Sequence, residues 1–336
     1  MNAATATDDV PRRVIRHGDA LDELRRLPGG VVDQIVTSPP YYRLRDYDVD
    51  GQIGAESSIE GWVADMLAIA DEATRVLVPT GTYWLNVGDT FATAKKDGAP
   101  RKSLLLGPER LALAMVDRGW ILRSKVVWHK PNPTPSSVRD RLTSSWEYIY
   151  IFARAPRYYF DLDSIRQPLK QPASTPRKSP VDLRGHESWR GSHSSPADGL
   201  ARMHQRGISG HPLGKNPGDL WTLAASRGHG DHHATFPLRL ASRMVVTGCP
   251  ERRCARCRAP HVRPVERLGE TATRLALTPT CECRVASEPG LVCDPFMGSG
   301  TTAVAAKTLG RDWYGIELNP DFADAARHRV ATASPP

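Results

Sequence analysis

Cysteine is absent from the first 248 residues of this 336-residue chain, and all six cysteines fall between Cys249 and Cys293. So thin a supply excludes a secreted scaffold built on disulfides. Long apolar runs are missing too: none approaches the ~18 residues of a membrane-crossing helix. The stretch Met1 to Pro11 lacks the basic start and apolar core of a signal peptide, so an intracellular protein is expected. No internal repeat is present, which sets solenoids aside. Against these absences, hydrophobic residues make up 40% and charged residues 24%, the balance of a globular chain rather than a disordered one. The charge sum of 45 basic against 37 acidic residues gives +8, carried mostly by arginine, and suggests a polyanionic partner.

Strand and helix signals alternate from Arg12 onward. Asp19 is placed to cap a helix through Leu27, Pro28-Gly29-Gly30 breaks it, and Val31 to Val36 reads as a buried strand. Ser57-x-x-Glu60 predicts a capping box opening a helix to Leu77, stopped by Pro79 and Gly81. Strands are expected over Thr82 to Val87, Ile121 to Trp128 and Trp146 to Phe152, with a helix over Ser103 to Val116. The alternation resumes with a helix from Thr235 to Val246, strands at Leu291 to Cys293 and Trp313 to Ile316, and helices at Thr301 to Leu309 and Pro320 to Val330. Such spacing argues for a parallel sheet covered by helices. Between Ile165 and His233 the texture changes: ten basic residues face five acids, seven of the eleven histidines gather here, and Pro, Ser and Gly are dense. By composition alone this stretch is either a solvated loop region or a polyanion-binding surface.

Two motifs carry chemistry. The first, Cys293-Asp294-Pro295-Phe296-Met297-Gly298-Ser299-Gly300-Thr301-Thr302, is a strand end, a glycine turn and a helix start. Its glycines let the backbone approach a ligand, and the free N–H groups of the helix favour an anion such as a carboxylate or phosphate. Glu317 ends the next strand, where an acid accepts hydrogen bonds from ribose hydroxyls; the lesser alternative is a structural turn with Glu317 as a helix cap. The second is Thr37-Ser38-Pro39-Pro40-Tyr41 after the buried strand. Paired prolines fix the Ser38 and Pro39 carbonyls as acceptors beside an aromatic ring, an arrangement suited to a planar base with an exocyclic amine, or to an ordinary turn.

Together these motifs resemble those of the DNA amino-methyltransferases, in which an S/D/N-P-P-Y tetrapeptide holds the target amine and a D-P-F-x-G-x-G-T-T segment binds S-adenosylmethionine. The order, tetrapeptide first and glycine loop last, is that of the permuted β group. Gly119-Trp120 and Trp128-His129-Lys130-Pro131-Asn132 through Asp140-Arg141 and Glu147 resemble its eighth motif. Gly214 to Trp221 and His233 to Leu238 resemble the entry to its tenth. The resemblance implies an α/β, circularly permuted, Rossmann-like S-adenosylmethionine-dependent methyltransferase fold with a recognition insertion and a small zinc-binding insertion. It implies that Ser38, Pro39, Pro40 and Tyr41 hold the flipped base, and that Asp294, Phe296, Gly298, Gly300, Thr301, Thr302 and Glu317 surround the cofactor. Asp19, Thr37, His233 and Phe236 join the cofactor set. Serine before Pro-Pro-Tyr implies the cytosine-N4-specific type, with adenine N6 as the alternative. Double-stranded DNA is the implied partner, a cognate restriction endonuclease a further one, and the bacterial cytoplasm or nucleoid the implied place.

The expected organisation follows: a flexible tail over 1–11, a catalytic half over 12–166, target recognition over 167–215, a cofactor half over 216–250 and 290–330, and a tail over 331–336. The interval 251–289 departs from the family pattern. It holds Cys254-x-x-Cys257 and Cys281-x-Cys283, two close pairs suited to one tetrahedral zinc, with His261 or Cys249 as replacement ligands. No Pro-Cys dipeptide exists, so covalent carbon-5 methylation of cytosine is disfavoured. A protein or RNA methyltransferase would place the glycine loop before the tetrapeptide. A non-catalytic zinc protein would not bind S-adenosylmethionine.

Overall fold

The computed structural model describes residues 10–169, 211–225, 237–268 and 271–335. Its chain divides into two compact units. The larger comprises residues 1–161, 218–262 and 279–336, and the smaller residues 162–217 and 263–278.

The larger unit is built on one eight-stranded sheet. Its strands in chain order are β1 (Val14–His17), β2 (Val32–Thr37), β3 (Leu77–Val87), β4 (Ile121–His129), β5 (Trp146–Ala153), β6 (Leu220–Thr222), β7 (Leu291–Asp294) and β8 (Asp312–Glu317). The spatial order is β1-β8-β7-β2-β3-β5-β4-β6. The last two strands in sequence thus lie between the first two, which is what circular permutation of a doubly wound sheet produces. β1, β8, β7, β2 and β3 run parallel, while β5 is antiparallel to both β3 and β4. Every residue of β2 and β7 is buried, as expected of central strands covered on both faces.

Helices fill both faces. On one, α1 (Ala20–Arg26), α2 (Ile59–Val76) and α3 (Gly107–Asp117) contribute Leu24, Trp62, Met66, Ile69, Leu111 and Met115 to a single core. On the other, α4 (Leu238–Gly248), α5 (Thr301–Thr308) and α6 (Pro320–Thr332) pack Leu240, Met244, Ala305, Ala323 and Ala326 beneath Trp84 and Val292. Among the described residues no helix is long and apolar enough to cross a membrane.

Several boundaries differ from the sequence reading for physical reasons. The cap of α2 is Ser58, whose hydroxyl accepts from Gly61 N, not Ser57. β3 begins directly at Leu77 and runs through Pro79 and Gly81, which therefore lie within a strand rather than separate it from the helix. α3 starts at Gly107 rather than Ser103, because the distant Asp89 carboxylate accepts from Leu106 N and Gly107 N. In the smaller unit, Arg166 donates to Asp163 at 2.5 Å and to the Gly214 carbonyl at 3.1 Å, while Val265–Leu268 and Thr271–Arg274 form an antiparallel pair. Residues 170–210 of the expected recognition stretch lie outside the described residues, as do His233 and Phe236.

Candidate active site

The C-terminal ends of β2, β3, β7 and β8 open at one end of the sheet, joined there by the start of β5 through the pairing Val87–Tyr148. In open parallel sheets this end is where ligands sit. A cavity of about 710 Å³ lies there. It takes Ser38 and Pro40 from the first motif and Phe296, Gly298 and Thr301 from the second, together with Glu317 and Asp19. The two motifs, far apart in sequence, therefore face one space. Asp19 also caps α1 by accepting from Asp22 N at 2.9 Å.

The charge of the wall narrows the ligand class. Among the described residues, Asp19, Asp46, Asp48, Glu317 and Asp321 line it against one cation, Arg45. A pyrophosphate would meet repulsion in such a wall, whereas a cationic ligand is favoured. Apolar surface comes from Phe296, Ile53 and Phe322. Gly298 adopts φ +50° at the turn, and a Cβ added there would meet nothing within 4 Å, so its backbone borders open space. Gly300 caps α5 at φ +82° and packs 3.1 Å (as a Cβ) from Ala326, so here the missing side chain serves helix packing.

Glu317 reaches across this turn. Its Oε2 accepts from Gly298 N at 2.7 Å and its Oε1 from Asn319 N at 2.9 Å, whereas α6 itself is capped by Asn319. Burial pushes its carboxyl above the ordinary glutamate range, partly offset by those N–H groups. Asp294 sits behind the loop, 1% exposed. Its Oδ1 accepts from the Thr37 hydroxyl at 2.6 Å and Phe296 N at 3.0 Å, and its Oδ2 from the Thr302 hydroxyl at 2.6 Å. Burial raises its pKa to about 6 in spite of these donors. Asp294, Thr37 and Thr302 thus bolt the tetrapeptide to the glycine loop without facing the cavity. Trp62 of α2 adds a second bolt by donating its indole N–H to the Pro40 carbonyl at 2.9 Å.

Beside Ser38 lies a polar network that motif reading left without roles. The Tyr41 hydroxyl donates to Glu147 Oε2 at 2.9 Å and lies 3.2 Å from Ser38 Oγ. Asn86 Nδ2 donates to the same Glu147 oxygen at 3.1 Å, and Lys130 pairs with the other. Burial, then the Glu147 charge, push the Tyr41 phenol well above its ordinary pKa, so it keeps its proton. The segment Arg45 to Ile53, another wall of the cavity, was also unassigned; its Asp- and Gly-rich sequence is the only local sign of it.

Cys254, Cys257, Cys281 and Cys283 converge, with their sulfur atoms all within 4.8 Å of one another. Four sulfurs around one zinc lie ~3.8 Å apart, so the donor set fits. His261 and Cys249 lie outside this group, and Cys249 and Cys293 are buried in the sheet layers. Each cysteine pair is followed by an arginine in the left-handed region, Arg258 at φ +60° and Arg284 at φ +51°. Non-glycine residues persist there only when their surroundings impose it. Sulfur crowding pushes the Cys283 thiol up to about 12 through hydrogen bonding with Cys257 and Cys281. The cluster is fixed to the sheet by Arg253, fully buried, which donates to Asp33 Oδ2 at 2.7 Å, the Val31 carbonyl at 2.6 Å and Glu288 at 2.8 Å.

Known proteins share this organisation. The chain is 31% identical to the type II methyltransferase M.SmaI of Serratia marcescens over 93% of its own length and 89% of the relative's. It is 32% identical to M.Cfr9I of Citrobacter freundii over 93% and 86%. Among solved structures, the PvuII DNA methyltransferase (cytosine-N4-specific) shares the fold with a TM-score of 0.56 at 17% identity, covering 96% of this chain and 91% of that one. A Thermus thermophilus protein solved in complex with S-adenosyl-L-methionine aligns with a TM-score of 0.51 at 21% identity, over 95% of each chain. The N6/N4 DNA methylase model matches residues 32–328, and the chain belongs to that family.

Proposed function

We propose that this DNA methylase transfers a methyl group from S-adenosylmethionine to the exocyclic N4 amine of a flipped cytosine in double-stranded DNA. The observation that carries the reading is the shared cavity, in which Ser38 and Pro40 of the tetrapeptide and the Glu317–Gly298 turn face one acid-lined space. S-adenosylmethionine supplies a methyl group on a cationic sulfonium, which the carboxylate wall favours. Glu317 would hold its ribose, Asp19 would lie near its adenine, and Phe296, Gly298 and Thr301 would surround its methionine part. Asp294, Thr37, Thr302 and Gly300 hold that wall in shape, and His233 and Phe236 belong to the same set by family likeness. Serine in place of an acid before Pro-Pro-Tyr favours cytosine, in keeping with the PvuII enzyme whose fold the chain shares. Type II methyltransferase relatives support a role beside a cognate endonuclease.

The chemical task is to make a poor nucleophile react, because the amine lone pair is delocalised into the ring. The Ser38 hydroxyl and the Pro39 carbonyl accept its N–H hydrogens and favour a pyramidal nitrogen, while the Tyr41 ring stacks on the base. The four clustered cysteines would hold one structural zinc. With all four positions filled by protein sulfur, it would crosslink the insertion and take no part in methyl transfer. The basic residues within 167–215 would contact DNA phosphates.

Glu317→Ala tests the cofactor assignment. In a calorimetric titration it should weaken S-adenosylmethionine binding by about 1.5–3 kcal/mol, the scale of a charge-assisted hydrogen bond, while leaving DNA binding intact. Because burial raises the Glu317 pKa and the ionised form is the acceptor, wild-type affinity should fall as the pH drops into the acidic range, with this dependence reduced in the variant. Unchanged affinity in Glu317→Ala would remove the ribose assignment.

A further inference from the structure

The Tyr41 phenol has one hydrogen, and the network decides where it goes. Glu147 Oε2 is a carboxylate oxygen and can only accept, so the Tyr41 hydroxyl donates to it at 2.9 Å. Ser38 Oγ lies 3.2 Å from the same phenolic oxygen, whose hydrogen is now spent. The contact is therefore made by Ser38 donating its own hydrogen to Tyr41. Both hydrogens point toward Glu147, and Ser38 Oγ is left with lone pairs only. Lys130 and Asn86 Nδ2 hold Glu147 from its other sides, and Gly88 lets the Tyr41 ring lie close, since a Cβ there would meet it at 2.9 Å.

We infer that Glu147 is a positioning residue that acts through Tyr41 to make the Ser38 hydroxyl an acceptor-only group. It would thereby select a base carrying an exocyclic amine and reject one carrying a carbonyl at the same place. The inference rests on the DNA methyltransferase reading of the site and deepens it. An amine at that position offers two hydrogens to Ser38 Oγ and the Pro39 carbonyl. A keto oxygen, as in uracil or thymine, would instead face two acceptors with nothing between them. Discrimination by such unpaired polar atoms is far larger than discrimination by shape. Ser38 in a free rotor state would lose half of this filter, because its hydroxyl could turn and donate to the keto oxygen.

The test uses the full-length protein with duplexes carrying cytosine or uracil at the target position, and the variants Glu147→Gln, Tyr41→Phe and the double variant. Glu147→Gln offers an amide hydrogen to Tyr41 and lets the relay reverse; Tyr41→Phe keeps the stacking ring and cuts the relay. Each single variant should lower kcat about tenfold, the worth of roughly one hydrogen bond, with KM for S-adenosylmethionine unchanged. Each should also narrow the preference for binding cytosine over uracil duplex, and the double variant should be no worse than either single. Additive losses in kcat, or a cytosine-to-uracil preference equal to wild type in both singles, would overturn the inference while wild-type methylation of the cytosine duplex leaves the functional reading standing. Absence of methylation by the wild type on any DNA would instead remove the functional reading itself.

Discussion

Protein purified without added metal should carry about one zinc per chain, and Cys254→Ser combined with Cys257→Ser should abolish it. The expected effect is large because structural zinc bound by cysteines contributes on the order of 10 kcal/mol to the order of its own module. The backbone beside the cysteines points to such a hold. The left-handed backbone at Arg258 and Arg284 costs about 1–3 kcal/mol at each position and persists only where the surroundings impose it, as four ligated sulfurs would. Metal loss should expose the insertion to protease between Arg252 and Pro289 and release Arg253, whose guanidinium is buried against Asp33 and Glu288. Its release would leave the buried Asp33 carboxylate without its partner, a loss of several kcal/mol, so the melting temperature should fall as well. Metal-free protein with an unchanged protease pattern would leave the four cysteines without a structural role.

Ser38→Ala should lower turnover by about 100-fold, the loss seen when one preorganised polar partner of a reacting group is removed. S-adenosylmethionine affinity should hardly change, because the cofactor set is anchored by Glu317 and the Asp294 bolts rather than by Ser38. The fold should tolerate the change, since the Ser38 side chain touches the rim of the cavity and not the core. Single-turnover rates with saturating DNA separate chemistry from binding here. An alanine variant with wild-type turnover would mean that the tetrapeptide hydroxyl is not at the reacting amine.

Much of this was legible in the sequence because the central elements are written in local patterns. β2, β7 and the helix α5 announce themselves through a buried apolar run, a short apolar strand before a glycine turn, and a helix ended by Gly310. The four cysteines converge as their spacing suggested. What escaped was carried by tertiary contacts. Nothing near Ser103 indicates that Asp89, far upstream, caps α3 at Gly107. Pro79 and Gly81 mark a break by propensity, yet the strand continues because its buried continuation through Val87 pairs with both β2 and β5. Asp294 carries the motif position of a cofactor ligand, but its hydrogen bonds go to Thr37 and Thr302, which only the folded sheet brings within reach. Glu147 is separated from Tyr41 by 106 positions, so its role depended on the pairing of β3 with β5.

The identity of the methylated base decides between cytosine N4 and adenine N6 as the target. Duplex DNA incubated with the pure enzyme and S-adenosylmethionine is digested to nucleosides and analysed by mass spectrometry. N4-methylcytosine is expected, at a defined site and absent when Ser38→Ala replaces the wild type over the same time. N6-methyladenine as the sole product would contradict the choice of base, and unmethylated DNA would contradict the function.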